Sequence, residues 1–205
     1  MAAEGPNITG TGADDSAVGT NTWSNPGNIT ADDTSYATLF LAGQTHYLKA
    51  TNFGFSIPTD ATIDGIEVGF NRSKTIGGFG DVTDEVISIV LADGSIGSED
   101  KSAGASWNTT TFVTDTFGGS SDLWSETWAF GDINDSDFGV VLSATVFVPS
   151  ESAATARVDF VEITVTYTEA GGDIKTVSSV AIASVKTVDG IAIASVKTID
   201  TISNV

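Results

Sequence analysis

ARVDFVEITVTYT, residues 156 to 168, is the stretch from which the fold class is read. Ala156, Val158 and Phe160 share one parity with polar residues between them, and Val161, Ile163, Val165 and Tyr167 share the other. Alternation with a period of two sends one set of side chains into a core and the other toward solvent, as in a half-buried strand. The change of parity predicts a β-bulge near Asp159 to Val161, where one extra residue re-aims the chain.

The same texture extends backward. Phe138 to Val148 alternates with Val140, Leu142, Ala144, Val146 and Val148 on one face. Thr62 to Arg72 sets Ile66, Val68 and Phe70 against Glu67, Gly69 and Asn71. Glu85 to Leu91 is almost continuously apolar, as in a strand covered on both sides, and Asp93-Gly94 closes it. Tyr36 to Leu41, Tyr47 to Phe55 and the Thr-rich run Thr109 to Thr116 complete the set. No segment of ten or more residues combines helical periodicity with caps. Short strands separated by turn residues over residues 36–170 predict an all-β protein with an antiparallel β-sandwich or jelly-roll head. Residues 1–35, rich in Gly, Asn, Thr, Ser and Asp, read as a flexible or loop-rich N-terminal arm, with one strand at most near Trp23.

Past Gly171-Gly172, read as a hinge, the texture changes again. Residues 171–205 carry one unit written three times: IKTVSSVAIAS, VKTVDGIAIAS and VKTIDTISNV, opened by Ile174, Val185 and Val196. A short exact repeat is a unit that cannot bury its apolar side alone and must stack on copies. Half of the 32 residues from Ile174 onward are Val, Ile or Thr, and Asp189-Gly190 is a hairpin-turn signal. These features predict a short β-repeat tail. An 11-residue period also suits a right-handed coiled coil, with Ile174, Val177 and Ala181 on one stripe. The apolar positions Ile174, Val177, Val185, Val188, Ile191, Ile193, Val196 and Ile199 are the candidate oligomerisation residues, because association would cover them.

Charge separates the two parts. The formal charge is -19, with 27 acids and 8 bases; three of each lie from Asp173 onward, leaving 24 acids against 5 bases before it. So acidic a head is poorly suited to nucleic acid or anionic membrane. No run reaches the ~18 apolar residues of a membrane helix, so no membrane insertion is expected. The opening MAAEGPNITG has neither a basic nor an apolar signal region, and no export signal is expected there. With no cysteine, disulfides and thiolate metal sites are excluded.

Catalytic patterns are scarce. His46 stands alone, which leaves the usual Ser-His-Asp arrangement incomplete, and no zincin or phosphate-loop spacing occurs. A glycosidase needs only two carboxylates, but abundance keeps any pair from standing out. GDINDSDFG, residues 131–139, offers oxygen ligands, yet Asp137 and Ser143 occupy the places where an EF-hand needs Gly and Glu. A solvated turn is the simpler reading, so no metal or other cofactor is expected. Trp124 and Trp128, with Trp107 nearby in sequence, are candidate glycan contacts; equally, they pin a long loop to the sandwich edge.

Leu48-Lys49-Ala50-Thr51-Asn52-Phe53-Gly54-Phe55-Ser56-Ile57-Pro58 and Ala61-Thr62-Ile63-Asp64-Gly65-Ile66-Glu67-Val68 carry a further signal. Together with Ser121-Asp122-Leu123-Trp124, Asp137-Phe138-Gly139-Val140 and Ala156-Arg157-Val158-Asp159, they resemble β-sandwich structural proteins of tailed bacteriophages and prophages. The terminal repeats resemble units near the ends of similar phage proteins. The resemblance implies a non-enzymatic protein of the virion surface, either a capsid decoration or a head fibre, with a tail-fibre or receptor-binding role as the neighbouring alternative. It also implies a homotrimer joined through the repeats and in contact with other virion proteins. A carbohydrate-binding adhesive module, contacting a host surface glycan, is the reading from another class.

Overall fold

The computed structural model describes residues 1–77, 79–109, 111–149, 153–170, 187–188 and 191–192. The chain divides into two units, Met1–Ala170 and Gly171–Val205. The first unit contains β1 (Ala2–Ile8), β2 (Thr11–Asp15), β3 (Ala37–Leu39), β4 (Gly43–Gln44), β5 (Tyr47–Thr51), β6 (Thr62–Gly77), β7 (Asp81–Val90), β8 (Val113–Gly119), β9 (Gly139–Phe147) and β10 (Ala153–Thr168). Its described helical pieces are a 3-10 turn, Pro26–Ile29, and the four-residue α1, Phe130–Ile133.

All strand pairing in this unit is antiparallel, in two sheets that pack face to face as an all-β sandwich. One sheet runs β1–β10–β6–β8, with β3 continuing the β1 edge of β10; the other runs β2–β5–β9, with β4 beside β5 on β9 and β7 on the far side. Residues 96–107 then return along β7, joined by Gly97 N to Ile89 O, Lys101 N to Ile87 O and Trp107 N to Val82 O, each at 2.9 Å. With this irregular margin the layers read β1–β10–β6–β8 and β2–β5–β9–β7–(96–107).

Parity explains the core. Ile66, Val68 and Phe70 of β6 and Val161, Ile163 and Val165 of β10 face Ile87 and Ile89 of β7 and Val140, Leu142 and Ala144 of β9, all buried in one cluster. Side chains from two inner faces interdigitate in this way when each strand alternates strictly. A smaller cluster of Tyr47, Val90 and Val141 lies apart from the main core, with Val18, Val86 and Ile96 against it. It accounts for the nearly continuous apolar run of β7, whose two parities feed two clusters. The bulge expected in residues 159–161 is present: Val158 pairs with Arg72 and Phe160 with Asn71, leaving Asp159 as the extra residue.

Residues 1–35 differ from the expected arm. β1 pairs along β10 from Ala2↔Tyr167 to Ile8↔Glu162, and β2 pairs with β5 from Thr11↔Thr51 to Asp15↔Tyr47. Trp23 and Ile29 sit in the main core. No residue within β1 or β2 is buried, so the backbone ladder, and not an apolar face, holds these strands. That is why AAEGPNI and TGADD show no hydrophobic alternation.

In the second unit, β11 (Thr187–Val188) and β12 (Ile191–Ala192) pair antiparallel, Thr187↔Ala192 and Val188↔Ile191, on either side of Asp189-Gly190.

Candidate functional site

The most densely built polar constellation lies between the sheets near the β6–β7 connection. The inward parity of β6, Ile66-Val68-Phe70, continues through Arg72 and Lys74, so two cations enter the space that apolar residues fill elsewhere. Arg72 donates from Nη1 and Nη2 to the Asp84 carboxylate, the second bond at 3.0 Å, and from Nε to Asp115 Oδ2 at 2.9 Å. Trp107 Nε1 donates to Asp84 Oδ1 at 2.8 Å, and its ring centroid lies 4.8 Å from the guanidinium carbon. Lys74 pairs with Asp81 and reaches Ser106 Oγ, which itself donates to Asp81 at 2.7 Å. Burial pushes the Asp81 carboxyl up, but the hydrogen bonds from Lys74, Ser106 and Val82 N outweigh it and hold the group below the usual aspartate range.

This arrangement joins β6, β7, β8 and the 96–107 margin. Each cation is already committed to carboxylates, and a fork-to-fork Arg–Asp pair fixes geometry as well as charge. A cleft of about 250 Å³ opens beside it, lined by Arg72, Asp84, Asp115 and Phe117 among others. The charges of the cluster are spent on one another, and it clamps these elements together.

His46 does comparable structural work. Its Nδ1 lies 2.8 Å from Asp14 Oδ2, while Asp14 Oδ1 accepts Trp23 N at 2.8 Å and Trp23 Nε1 donates to His46 O at 3.0 Å. Nearby, Ser143 Oγ donates to Thr45 O at 2.9 Å.

The tryptophans part ways. Trp124 is fully buried, its Nε1 donates to Ile66 O at 3.0 Å, and Lys101 Nζ sits 4.9 Å from its ring centroid. Gly118, at φ +78°, makes room for it: a Cβ there would lie 2.7 Å from Trp124 Nε1 and 2.3 Å from Ile66 O. The two-tryptophan platform therefore does not form, because Trp124 has no face left for a sugar ring. Trp128 is half-buried, bonds Leu123 O through Nε1 and stands edge-on to Phe138. It borders a shallow groove of about 280 Å³ with Leu91, Asp93, Glu126 and Asp132. Those carboxylates are engaged within the fold: Asp93 accepts from Ser95 N and Oγ and Asp132 from Ala129 N in their own turns, and Glu126 accepts from Ser98 N of the 96–107 margin.

GDINDSDFG forms α1 and the turn after it. Asn134 exchanges two bonds with the backbone of Ile57, and Asp135 accepts from Asp137 N. Among the described residues no three His or carboxylate side chains are already gathered closely enough to hold a metal ion. Of the candidate oligomerisation residues, Val188 and Ile191 are a cross-strand pair of β11 and β12; Ile174, Val177, Val185, Ile193, Val196 and Ile199 lie outside the described residues.

One end of the sandwich is apolar. Phe40 and Leu41 follow β3, Phe79 lies between β6 and β7, and Phe147 closes β9 opposite Asp81; all four are exposed, Phe79 to 88 %. The register brings the end of β6, the starts of β7 and β10 and the end of β9 to this same edge. Such an exposed group was not singled out in the sequence: Phe40, Leu41 and Phe147 fall in stretches read as strands, and alternation does not say which strand ends stay uncovered. Comparison with known protein families, with characterised proteins and with solved structures finds no match to this chain.

Proposed function

We propose that this chain is a non-enzymatic structural protein of a bacteriophage virion surface, a capsid decoration or head fibre, with an acidic jelly-roll head and an oligomerising repeat tail. The observation that carries the proposal is the division of one chain into two units of opposite character. Met1–Ala170 is a closed sandwich holding all the net charge, and Gly171–Val205 is a neutral triple repeat. Like-charged heads repel, whereas a neutral apolar β unit gains by stacking on its copies. The antiparallel pair β11–β12 supports the β reading of that unit. Three copies is the number that the likeness to phage fibres suggests.

The apolar end formed by Phe40, Leu41, Phe79 and Phe147 supports contact with a further virion protein, since exposed apolar groups on a charged domain mark interaction surfaces. The polar constellations support a structural role as well, because their charges are spent on joining strands.

Light scattering tests the assembly. The full chain is expected to be a trimer, and the chain ended after Gly172 a folded monomer. Association should tighten from low to physiological salt as head repulsion is screened. A monomeric full chain, or a trimeric head, overturns the role of the tail. Mass spectrometry of purified particles from the producing strain tests the location; absence of the chain from them overturns the virion assignment.

A further inference from the structure

We propose that the head is seated by its apolar end: Phe40, Leu41 and Phe147, with Arg157 at their margin, enter an apolar recess, edged by a carboxylate, on another protein of the particle. This rests on the reading of the chain as a virion protein and adds which end attaches and what receives it. β6 and β10 pair along their whole length, from Ala153↔Gly77 at one end to Thr168↔Thr62 at the other. Strands of 16 residues, at ~3.3 Å for each, set these ends about 50 Å apart. Phe40 and Leu41 lie between Leu39, which pairs with Ala156, and Gly43, which pairs with Val146. Phe147 pairs with Asp81 at the start of β7. All three therefore belong to the Ala153↔Gly77 end, with exposures of 58, 61 and 58 %. Thr168, the last residue of β10, lies at the opposite end.

The two ends also differ in charge. At the far end, Asp60 and Asp64 lie at the start of β6, Asp93 follows β7, and Asp132, Asp135 and Asp137 precede β9. Toward the apolar end lie Arg72, Lys74 and Arg157, three of the five bases of the head. Asp84 and Asp115 match Arg72, and Asp81 matches Lys74. Arg157 pairs across to Thr38, two positions before Phe40. Its guanidinium lies over Phe112 and Tyr36, at 4.9 and 5.6 Å from the ring centroids, and among the described residues it has no carboxylate partner. Apolar side chains left this exposed gain by entering a recess, and the matched charges beside them add no repulsion. A guanidinium held between rings is placed in advance for a carboxylate that the chain itself does not supply. A second copy of the head is the poorer occupant, because it brings its own excess of acids.

The test titrates the purified full chain onto particles from a producing strain that lacks its gene, and reads bound chain by co-sedimentation. The parent is expected to bind saturably. Phe40→Ser with Leu41→Ser, and separately Phe147→Ser, should each raise Kd at least about tenfold. Arg157→Gln should raise it about threefold and flatten its dependence on salt. The replaced apolar side chains are more than half exposed, so those variants should melt within about 2 °C of the parent and keep its oligomeric state. Asp60→Asn with Asp137→Asn, at the acidic end, should bind as the parent does. If native particles carry the chain and the apolar-end variants bind as tightly as the parent, or the parent does not bind, this proposal falls and the virion reading stands. Absence of the chain from native particles removes both. Capture of the parent but not the variants by phosphatidylcholine vesicles, or association of heads that these variants abolish, gives the surface another occupant and overturns the proposal.

Discussion

Near the β6–β7 connection, Arg72 gives two N–H groups to Asp84 and a third to Asp115, and Trp107 adds a fourth donor to the cluster. At the β10 bulge, Asp159 is buried to a similar degree, and its Oδ1 has no hydrogen-bond partner. The two regions contain the same residue type at the same depth between or beside the same strands. They differ in whether the chain itself supplies the counter-charge. The first region is complete and rigidly specified. The second stores unfavourable electrostatics that a proton relieves, so it is the place where pH reaches the fold.

Breaking the complete region should have the largest effect. Arg72→Met leaves Asp84 buried without its cation and is expected to cost about 3–5 kcal/mol in urea unfolding. Adding Asp84→Leu to it should restore much of that loss, since an apolar pair of similar volume often matches a buried ion pair. If Arg72→Met costs under about 1 kcal/mol, the clamp is not what holds this end together.

Filling in the incomplete region should act in the opposite direction. Asp159→Asn, measured at neutral pH, is expected to raise stability by about 1–2 kcal/mol, as an unpaired buried charge is removed. A pH series sharpens the contrast. The folded pKa of Asp159 is raised, so its penalty is present above that pKa and disappears as pH falls through it toward the unfolded value. Asp81 and Asp122 behave in reverse: burial raises both, the Lys74 and Lys101 hydrogen bonds outweigh it, and the stability they contribute is lost only as pH falls through their lowered pKa values. The protein should therefore be most stable in mild acid, and Asp159→Asn should flatten the rise on the neutral side. A parent whose stability only falls from pH 7 downward contradicts the assignment.

The smallest effect is expected at the surface. Lys101 bridges Glu99 and Asp122, the latter at 2.8 Å, but both carboxylates are about a third exposed. Lys101→Met should cost under about 1 kcal/mol, since water and salt screen such pairs. A larger loss would mean that the ammonium also counts through its position over the Trp124 ring face.

Alternation alone was enough to place the long strands. Ile66-Val68-Phe70, Val140-Leu142-Ala144 and Val161-Ile163-Val165 each write their inward face into the chain, and the parity slip at Asp159 writes the bulge. These were legible because burial of a side chain is a local demand repeated every second residue. The repeat of the tail and the one-sided placement of charge were equally open to reading. The inward positions of Arg72 and Lys74 were signalled too, by the continuing parity of β6, but a charge on that parity looks like the end of a strand until its partner is known.

Tertiary structure decided the rest. β1 and β2 are held by ladders along β10 and β5, and a backbone hydrogen bond leaves no mark on composition. Trp124 became a fully buried pin and Trp128 a groove wall because Gly118 and Ile66, more than 50 positions apart, happen to meet in one fold. Asp84 found Arg72, while Asp159 found Asp32 and Asp33. The sequence by itself determined which faces of the long strands are apolar, but not their ends: β6 runs on to Gly77 and β7 begins at Asp81, beyond the alternating runs that marked them. Which charges meet, and which is left without a partner, depends on contacts between residues distant in the chain, and those arise only when the two sheets close.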